Sequence, residues 1–242
     1  MRLRMAGRDT DVAGDEVAES LAADGLVMVH EAGIGEIRDL LTRWTVPVWH
    51  PHEQEAGLTI ISARALSTDA DGLAGFGRSW LVPHTDRSLD PNPPTLLAVV
   101  MLSPGSGGDG LVVDGARLFT TLCRSFGRSA VESLRMRARD GTTMPVVNAV
   151  DGLVRIRFRA DPLASLYSET GQDAVVDAWR RLVSEPTPLQ MSAGDGYLVH
   201  NHRYLHGRSS FTGSRRLARF LAKIDDGHRL AWLNKGFRLV CP

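Results

Sequence analysis

Residues 194–224, GDGYLVHNHRYLHGRSSFTGSRRLARFLAKI, contain two runs of β type, GDGYLVHNHRYLH and RRLARFLAKI. Because alternate residues of a strand point to one face, the second run predicts that Arg215 and Arg219 share a face with two leucines. The same two arginines would also align on a helix. Arginines that point into a β-structure need a carboxylate or a similar partner, since an unpaired buried charge is very costly. This stretch therefore indicates a β-rich fold in which the two arginines have a carboxylate or a similar partner.

The first run also carries three histidines, His200, His202 and His206. They have the same parity, so a continuous strand would place all three on one face. Such a cluster is typical both of a polar sheet face near a rim and of a metal site. The cluster alone does not distinguish the two.

A second polar pair lies upstream in LVPHTDRS, residues 81–88, where His84 and Asp86 are two positions apart. A chain of this length with eight histidines and 28 acidic residues contains roughly one His-x-acid triplet by chance. On a strand the two side chains would point to the same face and could bind one ion. With a second histidine they would form the 2-His-1-carboxylate set that holds Fe(II) and leaves positions open.

The order of these motifs resembles the Fe(II)/2-oxoglutarate-dependent dioxygenases of the taurine dioxygenase and clavaminate synthase-like group. The motifs are His84-x-Asp86, then NHRYLHGRSSF, then GSRRL. The Asn-x-Arg-x-Leu-His-Gly-Arg signature is especially similar to that of the gamma-butyrobetaine hydroxylase branch. The stretch SPGSGGDGLVVDGARLF, residues 103–119, also matches the glycine-rich hairpin and helix that follow the first ligands in this group.

The resemblance implies three iron ligands: His84, Asp86 and His206. It implies that Arg215 binds the distal carboxylate of 2-oxoglutarate, a role suited to the bidentate fork of a guanidinium group. Arg219 and Arg208 are implied as partners for an acidic group of the substrate.

The sequence departs from the group in the glycine-rich hairpin. Members such as taurine dioxygenase have a threonine after Gly-Gly-x that contacts the cosubstrate, whereas GGDG here places Gly110 at that position. Either another donor replaces the threonine or the hairpin sits differently.

The resemblance further implies an α+β fold with a double-stranded β-helix (jelly roll) core and flanking helices. The implied cofactors are Fe(II), 2-oxoglutarate and O2, with release of succinate and CO2. Asp86 favours an oxygenase over the related halogenases, which have a small residue there. The expected reaction is hydroxylation, desaturation or cyclisation of a small carboxylate-bearing metabolite, such as an amino acid or a natural-product intermediate.

Two alternatives from other classes remain. One is a non-catalytic jelly-roll protein that binds a metal or ligand. The other is a dinucleotide-binding oxidoreductase, suggested by Gly105-x-Gly107-x-x-Gly110. The second needs a helix to begin at the third glycine and hold the pyrophosphate. LVVDG follows instead, which predicts a strand.

The remaining sequence predicts one domain over residues 1–242, with residues 1–12 disordered. Helices are predicted at GDEVAESLAADG, IGEIRDLLTRW, ARLFTTLCRSF and GQDAVVDAWRRLVSE. Residues 47–80 are expected to form a lid or pocket wall. Arg155, Arg157 and Arg159 alternate as one stripe that is either solvated or pocket-facing, and solvation is the default expectation.

The amino-acid composition limits the classes of partner that the protein is expected to bind. The 28 Lys and Arg residues balance 28 Asp and Glu residues, so no long-range field favours nucleic acid or an anionic membrane. Cys123 and Cys241 are too few for a disulfide framework, which favours a reducing cytoplasm. No apolar run approaches the length of a transmembrane helix, and the N-terminus has no signal-peptide pattern. We expect a cytoplasmic protein with a small-molecule substrate.

Overall fold

In the computed structural model, the described residues are 2–5, 7, 10–63 and 73–239, with only the backbone described for residues 10–12. Residues 64–72 of the expected lid or pocket wall and the cysteine Cys241 lie outside these residues.

Four longer helices lie where periodicity predicts helices, and one short helix follows α3. The helices are α1 (Thr10–Ala23), α2 (Ile34–Thr42), α3 (Gly115–Phe126), α4 (Arg128–Glu132) and α5 (Asp173–Val183). In α2 the predicted apolar face is buried through Ile37, Leu40 and Leu41. Helix α3 begins where the carboxylate of Asp114 accepts a hydrogen bond from the backbone N–H of Ala116, which satisfies one of the free donors of its first turn.

Strands make up most of the regular structure. In chain order they are β1 (Arg2–Arg4), β2 (Leu26–His30), β3 (Thr45–Pro47), β4 (Leu58–Ser62), β5 (Leu81–His84), β6 (Leu96–Ser103), β7 (Ser106–Gly107), β8 (Gly110–Asp114), β9 (Leu134–Ala138), β10 (Thr143–Pro145), β11 (Val147–Val150), β12 (Leu153–Ile156), β13 (Ala164–Ser168), β14 (Thr187–Leu189), β15 (Gly196–His200), β16 (Tyr204–Arg208), β17 (Phe211–Thr212), β18 (Arg216–Ile224) and β19 (Phe237–Arg238).

Two sheets organise the molecule. A seven-stranded sheet has the order β1-β2-β15-β6-β18-β3, with β4 also paired to β18, and a four-stranded sheet has the order β14-β8-β16-β5. All pairs in both sheets are antiparallel except β1 with β2. The strand β1 differs from the expectation of disorder through residue 12. It forms because Arg2–Arg4 pairs with Met28–His30, and the side chain of Leu3 is buried in the core.

The two faces of β18 confirm the predicted alternation. Ala218, Phe220 and Ala222 pack with α1 and α2 in one apolar cluster. Leu217 and Leu221 pack on the opposite face, in a second cluster that faces the four-stranded sheet. A third cluster packs α3 and α5 against the outer side of the four-stranded sheet, where it includes Leu205 and Val113. The architecture is a mixed α/β protein built mostly of strands.

The prediction that GDGYLVHNHRYLH forms one strand is wrong. Strand β15 ends at His200, residues 201–203 turn, and β16 begins at Tyr204. The turn is fixed because the backbone N–H of Arg203 donates to the carbonyl of His200 at 2.9 Å. The three histidines therefore do not share one strand face.

No helix within the described part of the chain has both the length and the apolar character that a membrane span requires.

Candidate functional site

Two adjoining cavities open between the sheets. The inner cavity, about 70 Å³, is lined from the seven-stranded sheet by Leu97, Tyr197 and Leu217, and from the four-stranded sheet by Gly110, His206 and Arg208. The outer cavity, about 240 Å³, reaches the surface past residues of the 47–80 segment, including His50 and Phe76. His84 and Arg219 line both cavities. The predicted pocket wall at residues 47–80 is confirmed for the part that the structure describes.

His84, Asp86 and His206 lie together at the junction of the cavities. His84 and His206 are paired across β5 and β16, with their ring centroids 4.7 Å apart. The Nε2 atom of His206 lies 3.8 Å from a carboxylate oxygen of Asp86. Asp86 and His206 are 6% and 7% exposed, so these donor atoms are largely withdrawn from water.

Both imidazoles are held in the form that binds metals. The Nδ1 atom of His84 lies 2.9 Å from the carbonyl of Val82, and because a carbonyl only accepts, Nδ1 carries the proton and Nε2 has the free lone pair. Burial lowers the pKa of His84, and burial together with the neighbouring His84 lowers the pKa of His206 to about 3. At neutral pH both rings are therefore uncharged.

Asp86 is ionised although it is buried. Burial by itself raises the pKa of Asp86, but the charge of Arg219 and the nearby imidazoles outweigh it and lower the pKa to about 2. The Nη1 atom of Arg219 donates to both carboxylate oxygens, at 3.2 and 3.0 Å. The Nε and Nη2 atoms of Arg219 are buried and have no hydrogen-bond partner. Arg219 therefore retains donors for a second anion.

Within the described residues, no three His, Cys, Asp or Glu side chains are arranged to hold a metal ion as they stand. The chemistry of His84, Asp86 and His206 nevertheless fits Fe(II), since two neutral imidazoles and one carboxylate are its typical protein ligands. The buried Nδ1 of His206 has no hydrogen-bond partner, so this ring is not committed to another protein group through that atom. Binding an ion would require the Asp86 carboxylate to share its contact with Arg219.

His200 and His202 lie away from this junction. Their rings are 5.5 Å apart, and the Nε2 atom of His200 is 2.9 Å from the carbonyl of Leu233. Both are fully or almost fully buried, and burial lowers the pKa of each. Of the three histidines in the first run, only His206 lines the cavity.

Asn201 is a positioning residue that sequence reasoning did not single out, although it begins the Asn-x-Arg-x-Leu-His-Gly-Arg signature. Its side chain is fully buried and accepts a hydrogen bond from the backbone N–H of Asp86 at 2.8 Å. Its amide nitrogen donates to the carbonyls of Asp86 and Pro94, at 3.1 and 2.9 Å. One amide thus fixes the backbone of Asp86 to the start of the 201–203 turn.

Other residues of the signature hold the site together. Arg203 pairs with Asp114 through two hydrogen bonds of 3.0 Å, which ties the 201–203 turn to the start of α3. Gly207 is required by close approach, because a Cβ atom there would lie 2.4 Å from the carbonyl oxygen of Leu81. This approach allows β5, with His84, to pair with β16, which carries His206.

Arg208 and Arg215 lie at the other end of the inner cavity and are 4% and 5% exposed. The Nε atom of Arg215 donates to the carbonyl of Gly108 at 3.1 Å. Gly108 has φ of +80°, and a Cβ atom there would come within 2.8 Å of the Arg215 side chain. The glycine-rich hairpin thus holds Arg215 against the cavity.

The expectation of a solvated arginine stripe on β12 and beyond is wrong. Arg155 donates to the carbonyl of Asn234, Arg157 donates to the carbonyl of Asp90, and both are half-buried. Arg159 lines the outer cavity, where it forms a bidentate ion pair with Asp161. Each guanidinium is drawn inward because a backbone carbonyl or carboxylate is available to it.

His50, within the predicted lid or pocket wall at residues 47–80, lines the outer cavity beside Arg219 and Asp86. Burial, together with the charge of Arg219, lowers its pKa to about 4. His50 therefore presents a neutral ring to whatever enters the cavity.

The strand predicted after Gly110 is confirmed. Gly110 begins β8, and the next helix, α3, begins only at Gly115. A dinucleotide fingerprint needs the helix N-terminus at its third glycine. The hairpin does not have that geometry.

Several solved structures of oxygenases have a fold similar to that of this chain. A putative alpha-ketoglutarate-dependent taurine dioxygenase from Burkholderia xenovorans is similar with a TM-score of 0.67 and 16% identity, over 93% of this chain and 92% of that chain. An asparagine oxygenase in complex with Fe(II), 2S,3S-3-hydroxyasparagine and succinate is similar with a TM-score of 0.66 and 14% identity, over 87% and 77%. The non-heme iron oxygenase OrfP, in complex with Fe, succinate and (3S)-hydroxy-L-Arg, is similar with a TM-score of 0.63 and 16% identity, over 87% and 80%.

The sequence identifies the family. Residues 6–221 match the model of the taurine catabolism dioxygenase TauD, TfdA family, and the chain belongs to that family. No curated protein matches its sequence. The expected membership in the iron and 2-oxoglutarate-dependent dioxygenases is thereby confirmed, whereas the closer likeness to the gamma-butyrobetaine hydroxylase branch stays a prediction.

Proposed function

We propose that the chain is an Fe(II)- and 2-oxoglutarate-dependent oxygenase whose proposed iron site consists of His84, Asp86 and His206. The observation that carries the proposal is the junction of the two cavities, where two neutral imidazoles and an ionised carboxylate lie close together. Along the chain, these three residues follow the order of the family motif. Its membership in the dioxygenase family supports the same assignment.

The finer description of the fold belongs to this proposal. The seven-stranded and four-stranded sheets face each other across the inner cavity, with helices on both outer sides. We assign this arrangement to a double-stranded β-helix, or jelly roll, with the proposed iron site between its two sheets.

The iron, when bound with 2-oxoglutarate, supplies the oxidising chemistry that uses O2 and releases succinate and CO2. The chain's own residues divide the remaining tasks. Arg215, at the closed end of the inner cavity, binds the distal carboxylate of 2-oxoglutarate through its planar fork. Apolar walls such as Leu97 and Leu217 exclude water from the space between Arg215 and the proposed iron site.

The substrate is proposed to enter the outer cavity. Arg219 lines this cavity and has two buried donor atoms without partners, which suits an acidic group. The Arg159–Asp161 pair on the same wall offers one charge of each sign. These groups favour a small carboxylate-bearing metabolite such as an amino acid or a natural-product intermediate. The asparagine oxygenase and OrfP complexes contain hydroxylated amino acids, which supports this substrate class. We expect the enzyme to act in the cytoplasm.

The test is anaerobic addition of Fe(II) and 2-oxoglutarate. The wild-type protein should develop a weak visible charge-transfer band, and His206→Ala should abolish it because one imidazole ligand is lost. The matched control is His228→Ala, since His228 is a half-exposed histidine that packs against Trp44 away from the cavities. A folded wild-type protein without a band would support instead a non-catalytic binding protein. If the band appears in the wild-type protein, screening carboxylate metabolites for substrate-dependent succinate release would identify the substrate.

A further inference from the structure

The inner cavity ends at two buried cations. Arg208 extends from β16 and Arg215 precedes β18, and both guanidinium groups lie beside the ring of Phe211, at 4.7 and 5.6 Å from its centroid. Because alternate residues of a strand share a face, Arg208 points to the same side of β16 as His206. Both arginines line the cavity that His206 also lines.

The hydrogen bonds of Arg208 leave it incompletely satisfied. Its Nη2 atom donates to the carbonyl of Gly77 at 2.9 Å, but its Nη1 atom is buried and has no partner. Among the described residues, neither Arg208 nor Arg215 forms an ion pair with a carboxylate. Burial, and then the charge of Arg215, lowers the pKa of Arg208 to about 10. Two buried like charges without an ion-paired carboxylate are costly, so this end of the cavity is suited to an anion.

The cavity has room for the end of a small acid. A single water needs on the order of 10–15 Å³, and the inner cavity measures about 70 Å³. Arg208 lines only this inner cavity, whereas Arg219 lines both the inner and the outer cavity. An anion bound by Arg208 would therefore lie on the side of Arg215, not on the side where the substrate is proposed to enter.

Arg208 also lies directly opposite Gly110, the position at which the sequence lacks a threonine donor. The two residues are register partners in the β16–β8 pair. A Cβ atom at residue 110 would approach Met191 Cε at 3.2 Å, Leu189 Cβ at 3.4 Å and Tyr197 Cε1 at 3.5 Å. A larger side chain would be crowded there, so a donor at this level of the cavity comes more readily from the neighbouring strand β16.

We propose that Arg208 and Arg215 together bind the distal carboxylate of 2-oxoglutarate, with Arg208 supplying the second donor in place of a side chain at residue 110. This inference rests on the proposed function and replaces the expectation that Arg208 contacts the substrate. Arg208 binds through the otherwise unpartnered Nη1, and Arg215 through the Nη atoms beyond its contact with Gly108.

The test measures binding of two keto acids under anaerobic conditions to the Fe(II) protein, through the charge-transfer band. 2-Oxoglutarate has the distal carboxylate and 2-oxobutyrate lacks it. Losing a charge-assisted hydrogen bond costs about 1.5–3 kcal/mol, so Arg208→Gln should weaken 2-oxoglutarate binding by roughly 10- to 100-fold. Its affinity for 2-oxobutyrate should stay at the wild-type value. Arg208→Lys, which keeps the charge but loses the fork, should lie between the two.

Arg78→Gln is the matched control, because the guanidinium of Arg78 also lies near the Phe211 ring, at 5.7 Å, but is exposed and lines neither cavity. It should leave both affinities unchanged. Equal 2-oxoglutarate affinity in wild type and the Arg208 variants would overturn the proposal, as would an equal loss for both keto acids. If Arg208→Gln does not fold, the selective loss in Arg208→Lys decides. A wild-type protein that gives no band with either acid would instead contradict the proposed function itself.

Discussion

The three residues of the proposed iron site owe their charge states to their immediate neighbours. The carbonyl of Val82 fixes the tautomer of His84, and burial keeps both imidazoles neutral. Arg219 keeps Asp86 ionised against the cost of burial. Arg219 therefore pairs with the carboxylate of Asp86 in addition to any anionic substrate. Removing Arg219 would leave the buried charge of Asp86 unpaired.

Asn201 should affect the Fe(II) affinity of the proposed iron site through the backbone of Asp86. Asn201→Asp keeps an oxygen for the backbone N–H of Asp86 but loses the donors to the carbonyls of Asp86 and Pro94. Groups that orient metal ligands typically change metal affinity by about 10- to 100-fold when they are removed. We expect a loss of Fe(II) affinity in that range, measured by titrating Fe(II) into protein saturated with 2-oxoglutarate. Asn148→Asp, an exposed asparagine on β11, should show no such loss. Unchanged affinity in the Asn201 variant would mean that Asp86 is held by other contacts.

At the level of elements, the two faces of strand β16 have different surroundings. His206 and Arg208 point into the inner cavity, whereas Leu205 packs outward with α3 and α5. Gly207 lies between them in the chain, and without a side chain it lets the backbone of β5 approach closely. The pairing of β16 with β5 is what brings His84 to His206.

Gly207→Ala tests that pairing. A Cβ atom at residue 207 would meet the backbone of Leu81 and Pro83 at 2.4 to 3.1 Å, and backbone cannot rotate away as a flexible side chain can. Overpacking of this kind costs about 1–3 kcal/mol, so the free energy of unfolding should fall by that amount in denaturant titrations. Fe(II) affinity should fall with it, since β5 must shift.

Gly35→Ala provides the comparison, because a Cβ atom there meets nothing within 4 Å inside α2. It should leave the protein unchanged or stabilise it by up to about 1 kcal/mol. Equal stability of the Gly207 and Gly35 variants would show that β5 has room to move.

At the level of the whole molecule, burial of several histidines makes stability depend on pH. Burial lowers the pKa of His84 and His202, and it lowers the pKa of His200 to about 4 and of His206 to about 3. In the unfolded chain these rings would take up protons below about pH 6.5. The unfolded state then binds more protons than the folded state, so the free energy of unfolding falls as the pH falls.

We therefore expect the free energy of unfolding to decrease between pH 7 and pH 5, by up to about 1.4 kcal/mol per pH unit for each such histidine. Denaturant titrations across this range measure the slope. His200→Gln should reduce the slope of the free energy of unfolding against pH by the contribution of one histidine. This reduction is expected whatever the substitution does to the free energy of unfolding at pH 7. A free energy of unfolding that stays level from pH 7 to pH 5 would contradict the burial of these rings.

The sequence by itself determined the local patterns and the order of the motifs. Periodicity placed α2 and α3 and alternation placed the two faces of β18, because these signals depend on near neighbours in the chain. The order of the motifs along the chain indicated the dioxygenase family. Only the tertiary structure showed that His200 and His202 turn away from His206, that Asn201 holds Asp86, and that Arg208 lies opposite Gly110. These facts depend on which strands pair and how closely they approach. Strand pairing joins residues far apart in the chain, and no local pattern encodes it.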